Sequence, residues 1–149
     1  MRIVARLYLS SVEEMMKKCG LNEGGKVQQY IDNFVLEQSE PYIPHKTGEL
    51  ITSGSRSTKI GSGQVIWNTP YAHYIYEGKL MVSPSTGSSW AKKHEQKIYA
   101  EPQKTLKYHN GDNNRKDHWF DRMIIDKKKE LIKGCQTIVN GGKWWKDQL

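Results

Sequence analysis

Arg2–Leu9 alternates polar and apolar positions with Ile3, Ala5, Leu7 and Leu9 on one side, the period-two pattern of a half-buried strand. At Ser11 the pattern changes. Ser11-x-x-Glu14 reads as a capping box, and Lys17, Lys18 and Gly20 supply the basic last turn and the stop of a short helix. After Gly24-Gly25, the residues Val27, Tyr30, Ile31, Phe34 and Val35 recur at i, i+3, i+4, i+7 and i+8. This predicts an amphipathic helix, which must end before Pro41. Glu40–Glu49 (EPYIPHKTGE) is a proline-punctuated loop in which Pro44 and Gly48 bracket a tight path. Thr58–Asn68 predicts a hairpin, with Gly61-Ser62-Gly63 as the turn and Gln64-Val65-Ile66-Trp67 as the returning strand. Pro70 then opens a short helix over Tyr71–Tyr76, closed by Gly78.

The last predicted element is a helix from about Asn114 to Val139, ended by Asn140-Gly141-Gly142 and followed by a tail holding Trp144-Trp145. Its apolar stripe is Phe120, Ile124, Leu131, Cys135 and Ile138, and Lys128 falls where an apolar residue is due. Either the Lys127-Lys128-Lys129 run marks where the helix leaves the core, or those lysines snorkel. Residues 83–114, rich in Ser, Thr, Gly, Asn and Lys and broken by Pro84, Pro102 and Asn110-Gly111-Asp112, show no periodicity. A segment that long is functional or ordered only when bound, so a mobile arm or an extended hairpin reaching a neighbour is expected. A length of 149 residues fits one domain, here 1–149, with 83–114 as the arm and 140–149 as the tail.

Composition sharpens this picture. Hydrophobic residues make up 36%, below the ~45–50% usual for a globular domain. Aromatics are skewed to Trp 5 and Tyr 8 against Phe 2. Amphipathic rings on a chain short of plain apolar residues suit a protein that completes its burial against partners, although large rings also fill ordinary cores. The net charge of +7 is uneven, at +1 over residues 1–90 and +6 over residues 91–149. A basic half meets nucleic acid or an acidic protein surface, or is simply a solvated face. Cys19 and Cys135 have neither zinc-ligand spacing nor a redox partner. Arg2 and Arg6 break any signal-peptide core, and no apolar run approaches the ~20 residues of a membrane span. A reducing cytoplasm is the expected compartment, with no membrane partner.

Candidate chemistry is sparse. The histidines His45, His73, His94, His109 and His118 include no i, i+4 pair. A metal site can be drawn from His109, Asp112, Asp117, His118 and Asp121, but the set lacks fixed ligand spacing, and acids favour the first turn of any helix. No G-x-S-x-G elbow is present, Gly61-Ser62-Gly63 is no phosphate loop, and Cys135 lies on the apolar stripe as a small core residue. These patterns specify no catalysis, cofactor or metal. The segment Trp67–Gly78 is more telling, because Trp67, Tyr71, Tyr74 and Tyr76 cannot all point into one small core. On a helix Tyr71, Tyr74 and Ile75 share a face while His73 and Tyr76 look elsewhere. Either half of these rings are core and half surface, or His73 and Tyr76 anchor a partner. Trp119-Phe120 with Met123 reads as core. Lys92, Lys93, Lys97, Lys104, Lys107, Arg115, Lys116, Lys127, Lys128 and Lys129 would support only sequence-independent DNA contact, since no base-reading motif accompanies them.

Several motifs also coincide in order. Pro41-Tyr42-Ile43-Pro44-His45-Lys46-Thr47-Gly48-Glu49-Leu50 is followed by Ser53, then by Val65-Ile66-Trp67-Asn68-Thr69-Pro70-Tyr71-Ala72. Tyr76-Glu77-Gly78-Lys79, Ser83-Pro84 and His118-Trp119-Phe120-Asp121 come next. Over about residues 1–140 this string resembles the minor capsid and head–tail joining (tail-completion) proteins of long-tailed bacteriophages. The resemblance implies an α+β fold, a small antiparallel sheet packed by two or three helices, with an extended arm and a long C-terminal helix. It implies a non-enzymatic virion protein of the neck, made in the host cytoplasm, that joins the DNA-filled capsid to the tail. Its expected partners are copies of itself in a ring of six or twelve, adjacent neck proteins such as the head-closure stopper and the tail terminator, and passing DNA. Interface candidates from the motifs and rings are Tyr42, Pro44, Trp67, Tyr71, His73, Tyr76, His118 and Trp119. Lys92, Lys93, Lys127, Lys128 and Lys129 are candidates for DNA or acidic neighbours. The alternative is a small DNA-binding protein using the basic C-terminal half.

Overall fold

A computed structural model describes residues 11–108 and 113–141. The expected strand over Arg2–Leu9, the Asn110-Gly111-Asp112 turn and Trp144-Trp145 lie outside these residues. Five α-helices and two short strands follow in the order α1 (Val12–Cys19), α2 (Lys26–Ser39), α3 (Glu49–Ser57), α4 (Ala72–Glu77), β1 (Met81–Val82), β2 (Ile98–Tyr99) and α5 (Trp119–Val139). The fold is α+β, with a small antiparallel sheet and a long C-terminal helix.

Local chemistry sets the helix ends. The Ser11 side chain accepts from the Glu14 amide while the Glu14 carboxylate accepts from the Ser11 amide, a complete capping box, and Gly20 closes α1 in the left-handed region. In α2 the expected apolar stripe faces inward, burying Val27, Tyr30, Phe34 and Val35. The chain continues past Ser39 as one 3₁₀ turn, Glu40–Tyr42, before Pro44 turns it away.

The main packing is α2 against α5. Tyr30 lies over Gly134, where a Cβ would overlap its hydroxyl and ring, and the Tyr42 hydroxyl donates to Asp126 Oδ2 at 2.8 Å. Advancing along α2 therefore means retreating along α5, so the two helices run antiparallel. Around this pair a core forms from Tyr30, Phe34, Val35, Tyr42, Ile43, Leu50, Ala72, Trp119 and Met123. Phe120, Leu131, Cys135 and Ile138 pack on it as expected. Lys127 is half-buried and pairs with Glu130 at 3.3 Å, while Lys128 and Lys129 are exposed. The basic run thus turns out of the core within one turn of α5.

Three departures from the sequence expectations stand out. First, α3 includes Leu50–Ser57, for which the sequence predicted no element, since Glu49–Ser57 carries four Ser or Thr residues and a Gly and buries only Leu50, Ser53 and Gly54. It forms because the Ser53 hydroxyl donates to the Leu50 carbonyl (2.7 Å) and Trp67 occupies the space a Cβ at Gly54 would need. Second, Thr58–Asn68 forms no hairpin. The amides of Gly61 and Gly63 donate to the buried Asp32 carboxylate at 2.7 and 3.2 Å, and Gly61 O accepts from Gly24 N at 2.8 Å. The turn's polar groups are thus satisfied by α2 and its leading loop, not by a returning strand. Third, α5 begins at Trp119 rather than Asn114. Arg115 donates to the carbonyls of Glu40 (2.9 Å) and Ile43 (2.7 Å), and Arg122 donates to those of Asn114 and Asp117, which holds residues 114–118 in a non-helical path.

The sheet pairs Met81 with Tyr99 and Val82 with Ile98, and a single bridge between Lys79 and Thr105 extends it. Residues 83–97 form the connection between the strands.

Candidate functional site

The motif residues from three segments meet at the start of α5. Tyr76, on α4, stands edge-on to Trp119 (centroids 4.7 Å, 89°), and Trp67 meets the same indole edge-on at 6.1 Å and 80°. His118 lies 5.1 Å from the Tyr76 ring, and its amide donates to the Tyr76 carbonyl at 2.9 Å. The Tyr76 hydroxyl donates to Asp121 Oδ2 at 2.8 Å. Burial, then the bond to Asp121, push its phenol up to about 12. Edge-to-face geometry lets each ring present its positive edge to a negative face, so this cluster is a packed joint rather than a chance crowding.

Beside the joint opens a cleft of about 410 Å³, walled by Ile31, Val35, Val65, Trp67, Tyr76, Trp119 and Phe120, with Asp32 as the one charged residue in its lining. The Trp119 Nε1–H is buried with no acceptor. A second, larger groove of about 730 Å³ lies between the 44–48 loop, α4 and residues 106–108. Pro44, Leu50, Tyr71, Ile75, Leu106 and Tyr108 give it an apolar floor, and His45, Lys46 and Lys107 edge it. The Tyr108 hydroxyl donates to the Ile75 carbonyl at 2.7 Å, and burial, then the Asp117 charge, raise its pKa to about 12.

The interface candidates therefore separate. Trp67, Tyr76, His118 and Trp119 come together at the joint, and Pro44 and Tyr71 line the groove, with Tyr71 38% exposed. Tyr42 is a core residue whose hydroxyl is bound to Asp126, with the Arg122 guanidinium 5.7 Å over its ring. His73 is exposed, edge-on to Tyr74 at 5.6 Å. Lys92 and Lys93 are exposed on the connection between β1 and β2, whereas Lys128 and Lys129 are exposed on α5.

Two features escaped sequence reasoning. Trp90 is 85% exposed, and its only signal was a lone Trp in a Ser/Lys-rich stretch. The connection that carries it is tied by Glu95, which accepts from the hydroxyls of Ser83 (2.8 Å) and Ser85 (2.7 Å) and from the Lys92 amide (2.9 Å). These bonds, those of Ser85 first, hold the Glu95 carboxyl down to about 2.

Among the described residues no three His, Cys, Asp or Glu side chains gather as a metal would require. His118 and Asp117 approach to 3.7 Å, Asp121 is engaged by Tyr76, and His109 and Asp112 lie outside the described residues. No described helix is long and apolar enough to cross a membrane.

A protein-family model described as minor capsid protein matches residues 3–109. The chain belongs to that family: it is a structural protein of the phage virion, a role that implies contact with other virion proteins rather than catalysis. No curated protein and no solved structure is significantly similar to it.

Proposed function

We propose that the chain is a subunit of the head–tail connector, a homo-oligomeric ring in the neck that joins the DNA-filled capsid to the tail. The observation that carries this reading is the division of the aromatic motif. Trp67 and Tyr76 lock the fold at the joint, whereas Tyr71 lines an apolar groove and His73 is exposed. A ring subunit must bury unlike surfaces on its two flanks, and head-to-tail contacts close into rings. Within residues 83–114 the connection over 83–97 acts as the arm that reaches the neighbour, and the groove receives an adjacent neck protein. Phage particles assembled without the chain should accumulate as tailless, DNA-filled heads beside free tails in electron micrographs. Joined particles would overturn the proposal.

The DNA-binding alternative draws on Lys128 and Lys129, which stand exposed with no ion pair among the described residues. It requires retention on DNA that falls steeply with salt and is abolished by Lys127→Glu, Lys128→Glu and Lys129→Glu together. Absence of retention at ~50 mM salt, where phosphate contacts are strongest, rules it out.

A further inference from the structure

Among the described apolar side chains Trp90 is the most exposed, and a surface indole at 85% exposure on a loop is the residue type that most often anchors an interface. Its loop is built to present it. Ser83 N donates to Ser88 O at 2.7 Å, Gly87 N to Ser83 O at 2.8 Å, and Trp90 N to Ser88 Oγ at 3.2 Å, with the Glu95 knot closing the far side. The loop tip is basic, since Lys92 and Lys93 follow two and three positions on and both are exposed.

The same chain offers two concavities. The larger groove is edged by His45, Lys46 and Lys107 and would repel this tip. Among the described residues the aromatic cleft has no cation in its lining; Asp32 stands in its wall, and Asp121 accepts from the hydroxyl of the wall residue Tyr76 at 2.8 Å. One of its wall residues, Trp119, is 2% exposed, so its indole forms a fixed floor for an inserted ring. Cation-flanked indole and aromatic cleft with a carboxylate at its edge are complementary in shape class and charge.

We propose that Trp90 of one copy docks in the aromatic cleft of the next, walled by Trp67, Tyr76, Trp119 and Phe120. This rests on the connector reading and deepens it, because a contact between two different patches of one chain is head-to-tail and propagates into a closed ring. Lys92 and Lys93 flank the entry and face Asp121 of the neighbour, steering the encounter and making it sensitive to salt.

Native mass spectrometry of the full chain tests it with three variants. Trp90→Ala removes the plug, Val65→Trp fills the socket, and Asp121→Arg reverses the charge at its edge, each checked for an unchanged circular dichroism spectrum. Wild type should form closed oligomers, and Trp90→Ala should weaken association about 30-fold or more, the loss of a hot-spot residue. Trp90→Ala mixed with Val65→Trp should give 1:1 pairs and nothing larger, since the pair has one intact plug and one intact socket. If Val65→Trp does not fold, Asp121→Arg takes its place, and Lys92→Glu with Lys93→Glu should restore its association. Three results overturn the proposal: a wild-type chain that stays monomeric at its solubility limit, Trp90→Ala that associates like wild type, or mixed variants that build beyond pairs. Normal association of Trp90→Ala together with tailless particles in the chain's absence would leave the connector reading standing and sink only this contact. A cleft occupied by residues 1–10 of the same chain would show as oligomers that appear only on deleting that segment, which also overturns it.

Discussion

Asp32 is a carboxylate withdrawn from water at 1% exposure, and it stays there because three donors reach it, Gln28 Nε2 at 2.9 Å and the amides of Gly61 and Gly63. Burying a charge is tolerated only when its lone pairs are met. Asp32→Asn keeps one oxygen for the two glycine amides but turns the other acceptor into a donor facing Gln28 Nε2 and removes the charge from all three bonds, so urea denaturation should show a loss of about 1–3 kcal/mol. Gly134 makes the opposite point, that absence of a side chain can be the requirement. Gly134→Ala gains about 1 kcal/mol of helix propensity yet must displace the Tyr30 ring, and overpacking costs about 1–3 kcal/mol. Net destabilisation is expected, and a rise in stability would show that α2 and α5 do not pack there. Burial pushes Tyr76 at the joint and Tyr108 in the groove up to about 12 when folded, against 10.0 unfolded. A raised folded pKa gives stability that is complete below pH 10 and lost as pH climbs toward 12. Alkaline unfolding followed by tyrosinate absorbance and circular dichroism should therefore flatten in the Tyr76→Phe, Tyr108→Phe double variant.

Elements differ in how far the chain supports them alone. The α1 helix has its capping box and a correct left-handed stop, yet buries none of its residues, leaving Val12, Met15 and Met16 at 67%, 46% and 42% exposure. Local signals built this helix and tertiary packing added little. Ser11→Ala should therefore reduce amide protection within α1, by about 1 kcal/mol of capping, while leaving the global transition unchanged. The connection between β1 and β2 is held by one carboxylate. With Glu95 at about 2 folded against 4.5 free, the knot is complete above pH 4.5 and opens as pH falls toward 2. Glu95→Gln should expose the Ser85 and Lys92 amides to hydrogen exchange at neutral pH while α2 and α5 stay protected. An unchanged exchange map would show that the knot does not order the loop.

For the whole molecule, the uneven charge and the surplus of Trp and Tyr find a common place. The basic residues Lys92 and Lys93 lie near an exposed indole, while Asp32 lies in the lining of an aromatic cleft and Asp121 bonds its wall residue Tyr76. If sibling copies meet through these patches, association should weaken as salt rises, because exposed charges separated by more than a Debye length of ~8–10 Å are screened. Sedimentation across a salt series checks this, and salt-independent association would assign the contact to apolar surface alone.

Sequence by itself determined the elements whose signals are local. The Ser11 box, the Gly20 stop, the i, i+3, i+4 stripe of α2, the short helix between Pro70 and Gly78, and the inward face of α5 needed only nearest neighbours along the chain. The motif string from Pro41 to Pro84 also pointed to the family, and it lies within the residues 3–109 that the family model matches. Tertiary structure decided the rest, wherever a group's partner lies far away in sequence. Asp32 took the amides that a hairpin would have used, Trp67 settled over Gly54 and let a serine-rich stretch become helix, and Arg115 and Arg122 delayed the start of α5. Which aromatic residues turn inward was likewise undecidable from periodicity. It was fixed by the edge-to-face contacts that Trp119 makes with Trp67 and Tyr76, side chains 52 and 43 positions away.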